Sequence, residues 1–415
     1  MSEITITKRQ RSYTLFLLVM VFTSSHVDRQ IVAILQEPIK AAFQISDTQL
    51  GLLTGVMFAL FYATLGMPMA MWADRRNRRN LITFAITLWS GMTALCGAAL
   101  NFWQLLAARI GVGVGEAGSN PPSHSIISDL YAEDERATAM AIFGLGVNFG
   151  IMLGFVIGGW VNEWVGWRWA FVVAAVPGLI IALMVRFTMV EPPRGYVDAI
   201  EEKPDAPPFW AVVATMWRSA IMRHLLGANI LISFAGYAAI AWAPVYFQRV
   251  HGMGTGESGT WLALMIGLGG GLGTFLAGHY ADKLGKRDLR WRAWVVCAAI
   301  VVYIPMAVLA FMADTKASAL FWFLGPAALG GAYIGVNFAL MQSLLAIEMR
   351  SVGAAINLFL LNIVGLGLGP LVVGMISDLM APTAGIDSVR YGLLFTVFVI
   401  TWGALHQFRV GQLLK

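Results

Sequence analysis

Charge is what this chain has least of. Only 12% of its 415 residues are Asp, Glu, Lys or Arg, where soluble domains carry about 25%, and 58% are hydrophobic. A balance so far from soluble norms leaves an integral membrane protein. Cysteine is almost absent as well. Cys96 and Cys297 are the only two, each inside an apolar stretch, so neither a disulfide framework nor a thiolate metal site can be built. The net charge of +5 could suggest nucleic acid. The basic residues instead crowd into short segments such as Lys8, Arg9 and Arg11, Arg75 to Arg79, and Lys283 to Arg292, a pattern that membrane topology explains.

Apolar windows long enough to cross about 30 Å of hydrocarbon as helices recur throughout. They predict spans near 14–36, 49–72, 81–100, 103–128, 137–160, 168–190, 224–248, 258–281, 291–313, 318–344, 351–376 and 388–409. The expected fold is an all-α membrane protein of twelve transmembrane helices. With the basic loops placed inside, both termini are cytoplasmic and the protein sits in the cell (inner) membrane. The N-terminus resembles a signal peptide in its basic start and apolar run. It carries Asp28 and Arg29 and lacks a small-residue cleavage site, so it reads as the first span.

Between spans six and seven the segment "EPPRGYVDAIEEKPDAPP" holds five prolines and five acidic residues, a linker between two halves. The expected division is 1–190, a linker over 191–218, and 219–415. The halves echo one another. "ADRRNRR" from Ala73 and "ADKLGKR" from Ala281 lie 208 residues apart, while Arg136 and Arg350, which open spans five and eleven, lie 214 apart. Gly150, Gly154, Gly158 and Gly159 loosely match Gly365, Gly369, Pro370 and Gly374. Two six-helix units in parallel repeat is an architecture that transporters use.

These loops resemble the signature of the major facilitator superfamily. Gly278, Asp282, Lys283, Gly285, Lys286 and Arg287 make a nearly complete copy; Asp74, Arg75, Arg78 and Arg79 make a second, with Ala70 and Asn77 at the glycine positions. Within the superfamily, "VDRQ" at Val27, "ADRRNRR", "ARIGVGVGEAG" at Ala108 and "SDLYAEDERATAMAIF" at Ser128 resemble the bacterial spinster-type transporters of sphingolipids and lysolipids. The resemblance implies a cytoplasmic gate built from Asp74, Arg75, Arg78, Arg79, Arg136, Asp282, Lys283, Arg287 and Arg350.

Four charges stand inside otherwise apolar spans: Asp28 and Arg29 in the first, Arg109 and Glu116 in the fourth. A charge there costs about 2.5 to 3.5 kcal/mol on the translocon scale, so it is rarely kept without a role. Arg109 and Glu116 are seven residues apart, close to two helical turns, and share a face; Asn120 follows one turn later. Asp28 and Glu116 can carry protons, whereas both arginines stay charged. The resemblance puts all four around one chamber. Protonating one acid leaves that chamber net positive and able to hold an anion. A permanent ion network that fixes helix packing is the competing reading. His26 could relay protons or simply be hydrogen-bonded.

"GVGEAG", from Gly113 to Gly118, spells the dinucleotide fingerprint but follows no strand, so close helix packing explains it better. The second half offers neutral polar groups instead: Asn229, Ser233, Asn337, Gln342, Asn357, Asn362 and, along span seven, Tyr237. The expectation is a proton-coupled secondary transporter working by alternating access, a monomer in the lipid bilayer without cofactor or metal. Its substrate would be an amphiphilic anionic lipid, held by Arg29, Arg109, Asn120 and Tyr237. A symporter of small organic anions and a non-transporting membrane sensor are the alternatives. No constellation of residues supports an enzyme.

Overall fold

A computed structural model describes residues 6–197 and 207–414, and every regular element among them is helical. Ten stretches are long and apolar enough to cross a membrane. The other two expected spans are hidden by breaks and fusions. Span four is two helices, Phe102–Glu116 and Asn120–Leu130, rather than the continuous one the hydropathy suggested. Pro121 and Pro122 follow the break; proline lacks the N–H that would continue the ladder, and it suits a helix start. Spans eleven and twelve run together as Ile347–Leu413, joined only by a short turn at Gly385–Asp387.

Caps written in the sequence hold several of the helix starts. Thr7 and Gln10 form a reciprocal capping box at the first span, and Ser46 and Gln49 form another at the second. Asn101 and Ser219 cap spans four and seven by accepting from Gln104 and Met222. Each such bond satisfies one of the orphan amides that a helix start leaves, typically for about 1 kcal/mol.

The described chain gathers into two compact units. One comprises Met1–Ile45, Met57–Glu202 and Gly254–Ala263; the other comprises Ser46–Val56, Lys203–Met253 and Leu264–Lys415. Residues 198–206 of the expected linker lie outside the described residues. The linker's last part is an amphipathic helix, Phe209–Arg218, that seats Val212 and Met216 among Met222, Leu225 and Leu345.

In the first unit, span five (Glu133–Val165) lies along span one (Lys8–Ile34) through a stripe of glycines. A Cβ on Gly154 would stand 2.7 Å from the Gln30 Cβ and 2.9 Å from the Val27 carbonyl, and Gly150 faces Thr23 and His26 as closely. In the second unit Gly365 and Gly369 of span eleven face Ser233 and Phe234 of span seven in the same way. The repeat extends to individual hydrogen bonds. Arg136 donates to the Tyr131 carbonyl at 3.2 Å and Arg350 to the Leu345 carbonyl at 3.3 Å, five residues back in each case.

Each unit also holds the start of a helix that the chain continues in the other. In the first, Glu163 accepts from the Gly256 amide at 2.8 Å, and Thr255 donates to the Gly159 carbonyl at 2.9 Å. In the second, Asp378 accepts from the amides of Asp47 and Thr48 at 2.9 and 2.8 Å, while Arg249 grips Asp47 at 2.6 and 2.8 Å. Glu163 and Asp378 are 215 residues apart, Thr48 and Gly256 are 208 apart, so the two caps are repeats of one contact. Immediately after each capped start the helix loosens into π turns, at Leu52–Val56 and Ala263–Gly269.

Candidate functional site

The four membrane charges meet in the first unit. Asp28 and Glu116 are each 1% exposed and Arg109 is 2% exposed, so three of the four are sealed from solvent. Adjacent residues on a helix point about 100° apart, and span one uses this to divide Asp28 from Arg29. Arg29 reaches span four, where its Nε and Nη2 lie 2.8 and 2.7 Å from one carboxylate oxygen of Glu116. Asp28 lies beside Thr93 of span three, within electrostatic reach of Arg109, Arg29 and Glu116. Neither Asp28 oxygen accepts a well-formed hydrogen bond, and the second Glu116 oxygen and the Arg109 Nε are likewise buried without one.

Aromatic rings complete the cluster. The Arg29 guanidinium stands 4.8 Å from the ring centroid of Phe58 and 4.7 Å from that of Tyr62, and Arg109 stands 5.2 Å from Phe58 on span two. Phe58 and Tyr62 are one helical turn apart and stack at 5.6 Å. Asn120 donates to the Tyr62 hydroxyl at 3.1 Å, so the break in span four still delivers it to the cluster. Glycines on the same helix make the approach possible. Gly113 faces the Phe58 backbone, while Gly111, Gly115 and Gly118 face Met92, Trp89 and Ala85 of span three. That is the close packing expected of "GVGEAG", with no strand before it.

Of the residues expected at the site, Asp28, Arg29, Arg109, Glu116 and Asn120 come together in one unit. Tyr237 belongs to the other, half-buried beside Tyr333 and 208 residues from Arg29, the offset of the repeated loops. The sequence did not single out Phe58, Tyr62 or Thr93, and Cys96 lies within electrostatic reach of Arg109 and Asp28. An aromatic pair four apart in an apolar helix gives no signal that distinguishes it from lipid-facing or core residues. His26 is turned back on its own helix, with Nδ1 3.0 Å from the Phe22 carbonyl.

The loop residues divide into two groups. Arg78, almost fully buried, is tied within its own unit to Asp129, to Glu191 at 2.9 Å, to Ser125 at 2.8 Å and to the Pro192 carbonyl at 2.7 Å. Glu191 also accepts from the amides of Arg78 and Arg79, capping span three. Arg136 and Arg350 cap the ends of spans four and ten. Asp74, Arg75, Asp282, Lys283 and Arg287 are exposed, and no ion pair among the described residues reaches the two aspartates. No group of three or more potential metal ligands occurs among the described residues.

A buried, charge-balanced cluster with unsatisfied acceptors is suited to gaining and losing protons and to binding an anion. It offers no nucleophile paired with a base. Comparison with known proteins agrees with transport. The family model described as Major Facilitator Superfamily matches residues 14–370. An "MFS-type efflux pump" of Mycolicibacterium smegmatis is 31% identical over 92% of this chain and 87% of its own length. "Protein spinster homolog 1" of Homo sapiens is 28% identical over 85% of this chain and 70% of its own. Among solved structures, a bacterial homologue of the human lysosomal transporter Spinster, inward-facing and unoccupied, superposes with a TM-score of 0.88 at 29% identity, covering 99% of this chain and 98% of that one. Its occupied form gives 0.85 at 28% identity. The chain is a multi-pass membrane transporter of the Major Facilitator Superfamily, of the spinster type.

Proposed function

We propose that the protein is a proton-coupled secondary transporter that moves an amphiphilic anionic lipid, of lysophospholipid or sphingoid type, by alternating access. The observation that carries this reading is the Arg29–Glu116 pair, a permanent cation held by a group that can be neutralised. Asp28 and Glu116 are the proton sites; Arg29 and Arg109 hold the anionic head, with Asn120 and Tyr237 as polar partners. While Glu116 is ionised it competes with the substrate for Arg29, and a proton on Glu116 releases the arginine. The charged first half and the neutral second half suit a substrate with an anionic head and an apolar tail.

The working units are two six-helix halves, 1–190 and 219–415, joined through 191–218, in the inner membrane with both termini cytoplasmic. Asp74 and Asp282 with their basic neighbours latch the cytoplasmic side when it closes. Export is the favoured direction, in keeping with the pump relative. The second reading is symport of small organic anions. It is favoured by an Escherichia coli "Probable L-galactonate transporter" that is 26% identical over 67% of this chain and 63% of its own length.

Purified protein in liposomes, offered a labelled lysophospholipid or a labelled small organic acid with and without a pH gradient, separates the two. Gradient-dependent movement of the lipid alone supports the first reading; movement of the acid alone supports the second. Binding of either without movement removes both.

A further inference from the structure

We infer that Phe58 is the positioning residue of the anion site: its ring holds the guanidiniums of Arg29 and Arg109 in register, so that Arg29 stays aimed when Glu116 lets it go. The inference rests on the proposed transport of an anionic amphiphile and adds to it a residue of span two, which carries none of the four charges.

Two guanidiniums from different spans converge on this single ring, at 4.8 and 5.2 Å from its centroid. Both lie within the roughly 6 Å over which the negative face of an aromatic ring attracts a cation. The ring is 1% exposed, and its backbone is pressed against Gly113, which lies between Arg109 and Glu116 on span four. Span four therefore cannot slide past Phe58 without moving both arginines' neighbours. The π turn at Leu52–Val56 ends one residue before Met57. The α-helix that resumes at Met57 sends Phe58 and, four residues later, Tyr62 out on one face.

The consequence appears when Glu116 is neutral. The ring contacts of Arg29 do not depend on the charge of Glu116. Held over the Phe58 and Tyr62 rings it is ordered beforehand, and the anion meets a fixed donor. In a dry site a cation–π contact contributes up to about 2 kcal/mol, or roughly thirtyfold in affinity. Leucine fills a similar volume and supplies no π face.

The test compares Phe58→Leu, Phe58→Tyr and Phe58→Trp in proteoliposomes, with labelled lysophosphatidic acid as the anionic probe. Monoacylglycerol, which lacks the phosphate, serves as the uncharged probe in binding to the purified protein. Phe58→Leu is expected to raise the KM for lysophosphatidic acid several-fold to about thirtyfold, with the maximal rate nearly kept. Its pH profile should flatten on the acidic side, while Phe58→Tyr restores both. Monoacylglycerol binding should be the same in all variants. An equal loss for both probes, an unchanged KM in Phe58→Leu, or no rescue by either aromatic variant would reduce Phe58 to packing. Arg29→Ala, run in parallel, separates the two levels. If wild type moves no lysophosphatidic acid, or Arg29→Ala leaves its KM unchanged, the anion-transport reading fails and this inference falls with it. If both hold and only Phe58→Leu is silent, the positioning role alone fails.

Discussion

Replacing Glu116 by glutamine keeps the shape of the Arg29 partner and removes its charge. Two donors of Arg29 converge on one Glu116 oxygen at 2.8 and 2.7 Å, and a bond of this charge-assisted kind contributes about 1.5 to 3 kcal/mol. In the wild type that interaction must be surrendered before Arg29 can take an anion. The variant therefore binds an anionic substrate about ten- to a hundredfold more tightly at neutral pH. The sign of the pH effect follows. Wild-type affinity rises as pH falls through the titration of Glu116, because the proton removes the competitor; the variant stays at the low-pH limit throughout. Gradient-driven accumulation is lost in Glu116→Gln, while exchange of internal for external substrate persists. Titrating labelled lysophosphatidic acid onto purified protein at several pH values measures the first effect, and accumulation against exchange in liposomes measures the second. Wild-type affinity with a wild-type pH slope in the variant would refute the competition between Glu116 and the anion.

Asp28→Asn should abolish gradient-driven accumulation in liposomes with smaller loss of anion binding than Arg29→Ala, since Asp28 faces Thr93 and the Arg109 side of the cluster; normal accumulation removes Asp28 from the proton path. Asp378→Asn and Glu163→Gln each weaken a helix cap of about 0.5 to 2 kcal/mol, so amide hydrogen exchange over residues 47–51 or 255–259 should quicken roughly two- to thirtyfold; unchanged exchange argues against a capping role for these carboxylates. Gly154→Val pushes a branched side chain into Gln30 and the Val27 carbonyl. It should lower the thermal unfolding temperature in detergent sharply, whereas Gly144→Ala, with open space around it, should not.

Membrane residence, the repeat and the four charges were legible because each is a one-dimensional signal. A span must be apolar over most of its length, a repeated loop shows as a repeated string, and a charge in hydrocarbon stands out against its neighbours. Asp28, Arg29, Arg109 and Glu116 were therefore found as charges in apolar spans, the family resemblance put them around one chamber, and the fold brings them together. What tertiary structure decided is which partner each charge takes. Arg29 takes Glu116, Asp28 lies beside Thr93 with neither oxygen in a well-formed hydrogen bond, and Arg78, which looks like any other basic loop residue, is buried on Asp129 and Glu191. Span four breaks at Glu116 although its hydropathy runs on, because a two-proline start and small residues matter to hydrogen bonding and not to apolar content. Phe58 lay beyond the sequence for the same reason. Its meaning comes from two guanidiniums on other helices, which apolar periodicity does not record.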